Sequence, residues 1–325
     1  MIILPSLLEV DSLTVDYQTR IGNIRAVEDV SFTMEKGEML GLVGESGSGK
    51  STLGLSIIRL VPYPGVIKKG HIEIDGINIT STPEEKMQSI RGKKIAYVFQ
   101  DPMTSLSPVK KIGDHFDELI RTHEPETGKK EAFELAKSVL RDVGILPERI
   151  NDYPHQFSGG MRQRIMIALA IVLNPEIVIA DEPTTALDVI VQAKILDLLK
   201  SIRDTYEMAL ILITHDLSIV LERCDKILVM YAGSLVECAT SKELYRNPEH
   251  PYTQRLLQSI PNIKIADQKL QAIPGSPPNL LNPPKGCRFW PRCSQAKAKC
   301  RLEKPPLVEF HPGHFVRCFK ENVKP

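Results

Sequence analysis

The sequence predicts an α/β fold built on a parallel sheet buried on both faces, and three observations carry that prediction. Residues 177–180 (Ile-Val-Ile-Ala) and 210–213 (Leu-Ile-Leu-Ile) are continuous apolar runs, the pattern of strands covered on both faces. Residues 189–204, between them, have helical length and spacing, so strand, helix and strand alternate. Upstream, Gly44-Glu-Ser-Gly-Ser-Gly49-Lys50-Ser51-Thr52 follows an apolar strand at 38–43 and opens a helical run at 52–60. That is the order a phosphate-binding loop requires.

Composition bounds the class of function. Of 325 residues, 41 are Lys or Arg and 40 are Asp or Glu, a formal net charge of +1. A chain that holds nucleic acid mainly through its phosphates carries a marked basic excess, so nucleic acid is not an expected partner. An apolar content of 42% suits a globular protein rather than a disordered, collagenous or coiled-coil one. The length suits about two domains, at roughly 100–200 residues each. A membrane span needs about 18–20 consecutive apolar residues; the best candidates, at 165–173 and 209–213, are too short. Residues 1–8 are apolar but lack the basic start and small-residue cleavage site of a secretory signal. The expectation is a soluble protein made in the cytosol.

The remaining elements follow in order. Strands are predicted at 8–17, 26–34 and 38–43. Residues 71–74 and 77–80 flank Asp75-Gly76, a two-residue turn that favours a hairpin. Another apolar strand covers 95–100. From 112 to 150 the spacing becomes helical (Phe116, Leu119, Ile120; Leu135, Val139, Leu140, Val143), which predicts a helical insertion. A helix covers 161–173. The sheet signal stops near Val236, and the proline-rich stretch 274–284 reads as a linker to a cysteine-rich tail.

The phosphate loop is the strongest chemical signal. Its glycines let backbone N–H groups converge on phosphate oxygens, and the following helix N-terminus adds a fixed partial positive charge. Gly44, Ser46, Gly47, Gly49, Lys50, Ser51 and Thr52 are the candidate nucleotide-binding residues, with Lys50 reaching the β- and γ-phosphates and Ser51 coordinating Mg²⁺. Asp181, ending a buried strand, is the candidate Mg²⁺ carboxylate, and Glu182 beside it the general base for the attacking water. Phe157-Ser158-Gly159-Gly160-Met161 precedes that strand and places a hydroxyl and backbone N–H groups at a helix start, a second anion site of different design. Two such sites in one chain suggest that each completes the other's in a dimer.

With these motifs in this order, residues 6–240 resemble the ATP-binding-cassette (ABC) family. Phe157 and Met161 depart from that family's usual Leu-Ser-Gly-Gly-Gln wording but keep the Ser158, Gly159 and Gly160 core. The resemblance implies a P-loop NTPase fold: a RecA-like core, an antiparallel β-subdomain and a helical signature subdomain at about 106–173. It implies that Tyr17 stacks on adenine and that Gln100 senses the metal and the attacking water. It also implies that Ala186-Leu187-Asp188 is a dimer-contact loop and that His215 touches the γ-phosphate. ATP and Mg²⁺ are the implied ligands. The implied partners are a second cassette, self or paralogue, packed head to tail, two separate transmembrane permease subunits, and indirectly an extracytoplasmic binding protein. The implied location is peripheral, on the cytoplasmic face of the cell membrane.

Residues 241–325 are expected to form a separate C-terminal extension. Asn247-Pro-Glu-His250-Pro251-Tyr252-Thr253 resembles the His-Pro-Tyr motif that opens the extension of the oligopeptide and dipeptide importer branch. Peptide import is therefore the implied function, with nickel or another small solute, or a soluble non-transport ABC ATPase, as alternatives. Cys287, Cys293, Cys300 and Cys318 are spaced C-x5-C-x6-C-x17-C, without the close pairs of structural zinc sites. Four thiolates suit a [4Fe–4S] cluster, as in some members of that branch; Zn²⁺ is the alternative, and uncomplexed or oxidised thiols a third. Cys224 and Cys238 read as small buried apolar residues.

Overall fold

Alternation of Val30, Phe32 and Met34 with Ser31 and Thr33 gives the first part of the chain a strand with one buried face. The structure, a computed structural model, describes residues 6–101, 105–185, 187–260 and 273–320. Ala186 and most of residues 1–8, for which expectations were formed, lie outside this set. The chain divides into two units: Met1–Met34, Met39–Thr80 and Thr214–Pro325 in one, Glu35–Glu38 and Ser81–Ile213 in the other.

The first unit opens with β1 (Leu8–Thr19) and β2 (Gly22–Met34). A five-residue strand, β3 (Met39–Val43), is buried throughout. It feeds the phosphate loop and then helix α1 (Lys50–Ile57), shorter than the predicted 52–60 run at its far end and longer at its start. β4 (Gly65–Ile74) and β5 (Ile77–Asn78) form the predicted hairpin, with Ile74 opposite Ile77 across Asp75-Gly76. The order β2-β1-β4-β5, antiparallel throughout, makes a four-stranded sheet.

The second unit carries the parallel strands and the helical insertion. After α2 (Glu84–Ile90) comes β6 (Ile95–Val98). α3 (Ile112–His123) buries Ile112, Phe116 and Ile120, and α4 (Lys129–Asp142) buries Ala132, Ala136, Val139 and Leu140. Leu135 sits on the outer face of α4, because the small Ala132 and Ala136 take the inner stripe. α5 (Gly159–Ile171) leads to β7 (Ile177–Asp181), α6 (Val189–Tyr206) and β8 (Ala209–Thr214). β6, β7 and β8 pair in parallel, with Ile95 beside Ile177 and Ile177 beside Ala209. Every residue of β7 and β8 is buried, as their unbroken apolar runs require.

The chain then completes the first unit with α7 (Leu217–Arg223), β9 (Lys226–Tyr231), β10 (Ser234–Thr240), α8 (Ser241–Arg246) and α9 (Pro251–Gln258). β9 runs parallel to β3, and β10 pairs antiparallel with β9. The expectation that the sheet stops near Val236 is corrected here. β10 continues to Thr240, and the tail adds β11 (Val308–His311) and β12 (His314–Val316), β12 pairing with both β10 and β11. The masking residue is Glu237, a carboxylate in mid-strand that is fully buried. Its oxygens accept from the Glu249 and His250 backbone N–H groups and pair with His314 Nε2 at 2.7 Å, so the buried charge is compensated. The 273–284 stretch has neither helix nor strand. Within it and beyond it, α10 (Ala298–Leu302) is the one α-helix among the described tail residues.

Candidate functional site

The phosphate loop gains its shape from what surrounds it. β3 delivers the chain from the buried sheet to Gly44, and Gly49 turns it into α1 with φ of 97°. A side chain at Gly49 would also collide with the Ala26 carbonyl, 2.2 Å from the position of a Cβ. Lys50 is 5% exposed, and its ammonium donates to the carbonyls of Gly44 at 2.9 Å and Glu45 at 3.1 Å. Ser46 and Gly47 lie exposed at the loop tip, while Ser51 and Thr52 occupy the first turn of α1. Tyr17, half-buried on β1, reaches Thr52 Oγ1 with its hydroxyl at 3.4 Å. A cation, a helix start and a glycine turn thus converge, a donor set that fits polyphosphate.

The carboxylates belong to the other unit. Asp181 ends β7 at 5% exposure and accepts a 2.7 Å hydrogen bond from the Tyr97 hydroxyl. Burial and the Asp181 charge push the Tyr97 phenol far up, so it remains a donor. An oxygen ligand held this way fits a hard cation such as Mg²⁺. Glu182 is held in the left-handed region at φ of 44°, uncommon for a non-glycine residue. Its N–H donates to the Ile213 carbonyl at 2.9 Å. Gln100 Nε2 at 3.2 Å and Thr185 Oγ1 at 3.0 Å donate to its carboxylate. Gln100 and Glu182 are therefore brought together, as a water-positioning pair requires.

Ser158 caps α5, its hydroxyl accepting from the Met161 N–H at 3.4 Å, and Ser158 and Gly159 are exposed. A Cβ at Gly160 would lie 2.6 Å from Val191 Cγ1, so glycine lets the start of α5 approach the start of α6. Asp188 caps α6, accepting from the Val191 N–H at 3.0 Å. Its local work in this chain is that of a helix cap. His215 is exposed immediately after β8.

Cys287, Cys293, Cys300 and Cys318 all line one cavity, with His250, Phe289, Trp290 and Phe319. Burial pushes the Cys287 thiol up to about 11 and raises Cys293 and Cys318, and neighbouring thiols add to each shift. The donor chemistry fits a four-thiolate centre. As placed, however, no group of three or more His, Cys, Asp or Glu among the described residues is arranged to hold a metal ion. Cys224 and Cys238 are buried, at 6% and 4% exposure.

The family model described as ABC transporter matches residues 27–185, and the one described as oligopeptide/dipeptide transporter, C-terminal region, matches residues 236–300. The oligopeptide transport ATP-binding protein OppD of Bacillus subtilis is 46% identical over 324 residues, 98% of this chain and 89% of that one. The chain belongs to the ABC transporter family. The dipeptide transport ATP-binding protein DppD of Lactococcus lactis is 45% identical over 313 residues, 95% of this cassette protein and 89% of that one. Among solved structures, a dimer of the ATP-binding cassette MJ0796 bound to ADP and Pi has a TM-score of 0.65 at 28% identity, covering 72% of this chain and 98% of that one.

Several residues around the cassette's motifs were missed by reading the sequence. Tyr97 is one, and a polar-tipped residue in the apolar strand just before Gln100 is the signal that marks it. Thr185 lies between Glu182 and Ala186-Leu187-Asp188, the two stretches already singled out. Glu45 and Tyr252 lay inside motifs already singled out, but their contact with each other and with Arg292 gave no local signal, because it joins segments more than 200 residues apart.

Proposed function

We propose that this chain is the ATP-binding and ATP-hydrolysing subunit of an ABC importer of dipeptides or oligopeptides. One observation carries the reading: a phosphate loop with a buried Lys50 and a strand ending in Asp181, followed by Glu182, occur in a chain whose C-terminal region matches the peptide-transporter family. Gly44, Ser46, Gly47, Gly49, Lys50 and Thr52 bind the phosphates, and Tyr17 stacks on adenine. Ser51, Asp181 and Gln100 would hold Mg²⁺, which neutralises charge on the β- and γ-phosphates. Glu182, oriented by Gln100 and Thr185, takes the proton of the attacking water, and His215 contacts the γ-phosphate.

The cassette occupies 1–240, with the helical subdomain at about 106–173, and the peptide-importer extension 241–325. Among the described residues no helix is long and apolar enough to cross a membrane. In this reading translocation falls to two permease subunits, with the cassette peripheral on the cytoplasmic face and a peptide-binding protein acting outside. A second cassette, a paralogue or another copy, pairs with it head to tail, and Ser158, Gly159, Gly160 and Asp188 face the partner's nucleotide. The dimeric state of the related cassette supports this pairing. Cys287, Cys293, Cys300 and Cys318 hold a four-thiolate centre, [4Fe–4S] in the first reading and Zn²⁺ in the second; their shared cavity supports it. Anaerobic purification with iron, sulfide and zinc analysis decides between these. Deleting the gene and measuring uptake of labelled dipeptides, with Glu182→Gln as the complementing control, tests the whole: unchanged uptake in the deletion removes the peptide assignment.

A further inference from the structure

Glu45 stands in the phosphate loop, one residue after Gly44, and each of its polar groups has a partner. Its carbonyl accepts from Lys50 Nζ at 3.1 Å. Its backbone N–H donates to the Tyr252 hydroxyl at 3.0 Å. Its carboxylate receives both arms of the Arg292 guanidinium, Nη1 to Oε2 at 2.7 Å and Nη2 to Oε1 at 3.0 Å. The Ser48 N–H also donates to the Glu45 carbonyl at 3.1 Å; Tyr252 and Arg292 come from the extension, and neither belongs to the catalytic motifs.

We propose that Tyr252 and Arg292 are positioning residues for the phosphate loop, so that the C-terminal extension sets nucleotide affinity from within the same chain. The proposal rests on the nucleotide-binding reading above. The anchors are themselves rigid. Arg292 is 5% exposed on its side chain, and the carbonyls of Ile273 and Pro274 and the Tyr231 hydroxyl receive its remaining donors. Tyr252 is fully buried, with its ring centroid 4.7 Å from Tyr231 and 5.4 Å from Phe289. A bidentate guanidinium–carboxylate pair fixes direction as well as distance, which a point charge does not.

The physical consequence follows from entropy. A glycine-rich loop has many backbone states, and a ligand that needs one of them loses affinity in proportion to the fraction in which the loop is competent. Fixing Glu45 from two sides removes that loss before nucleotide arrives. The same contacts also steer Lys50, because one of the two carbonyls that take its ammonium belongs to the residue being fixed. Arg292 immediately precedes Cys293 in the chain.

The test is equilibrium binding of MgATP to the full-length protein, with melting temperature recorded in parallel. Arg292→Ala and Glu45→Ala should each weaken binding about tenfold, and the double variant should be no weaker than either alone, the mark of one shared interaction. Arg292→Lys should recover only part of the loss, lacking the second donor arm. Tyr252→Phe, which keeps the ring, should weaken binding while nearly preserving the melting temperature. It keeps the proposal exposed if Arg292→Ala fails to fold. Variants that melt lower yet bind MgATP as the wild type does would overturn the proposal, as would fully additive losses. Wild-type protein that bound no MgATP would instead overturn the functional reading.

Discussion

Lys50 is buried and points its ammonium at two loop carbonyls, so its charge is already at the phosphate-binding turn. Removing it deletes charge-assisted hydrogen bonds of roughly 1.5–3 kcal/mol each, so Lys50→Ala should weaken MgATP binding by about a hundredfold. Isothermal titration reads this directly. Glu182→Gln keeps the size of the side chain that Gln100 and Thr185 hold, but not its basicity. Turnover should fall about 10²- to 10⁴-fold with MgATP binding retained. Undiminished hydrolysis would remove Glu182 from the base role. His250 gives a pH prediction. Complete burial pushes its imidazole down to about 4 from 6.5, against the opposing charge of Glu237, and its neutral Nδ1 accepts from the Tyr252 N–H. The unfolded chain therefore takes up a proton that the folded chain refuses between those values. The stabilisation is complete above about 6.5 and is lost as pH falls toward 4. His250→Asn, which keeps a capping side chain, should flatten the fall in melting temperature across that window; equal slopes would show that His250 is not its source.

At the scale of elements, the loop-to-helix junction is the most constrained. Gly49→Ala combines a positive φ with a collision against the Ala26 carbonyl, and the change should cost about 2 kcal/mol or more in chemical denaturation. The junction was legible because the motif itself specifies glycine. So were β7 and β8, whose apolar runs mirror burial on both faces, and the β4–β5 hairpin, fixed by Asp75-Gly76. The helical insertion declared itself through its spacing, although Leu135 faces outward. β10 did not, because Glu237 inside it looks like a break until His314 and two backbone N–H groups, all supplied later in the chain, compensate it. β11 and β12 were hidden for a related reason: each is short, and pairing with β10 rather than local pattern makes them strands. Among candidate site residues, those defined by a local motif were legible in the sequence, whereas Tyr97, Arg292 and the contact of Tyr252 with Glu45 depend on non-local partners that sequence spacing does not encode.

For the molecule as a whole, a near-neutral charge, a phosphate loop and a separate Ser158-Gly159-Gly160 helix start are what the proposed function asks of a chain that acts on nucleotide together with another subunit. A ligand shifts a pairing equilibrium only by its differential affinity for the two states; on the proposed head-to-tail pairing, the γ-phosphate supplies that difference. In the Glu182→Gln protein, combined with a paralogous cassette where one is required, MgATP should drive pairing that MgADP does not, as read by sedimentation velocity. The most direct measurement is simpler: calorimetric titration of MgATP into the Glu182→Gln protein with and without Lys50→Ala. Saturable binding of one nucleotide per chain that disappears when Lys50 is removed is the predicted result; binding that is absent from the start, or equally tight without Lys50, would contradict the account.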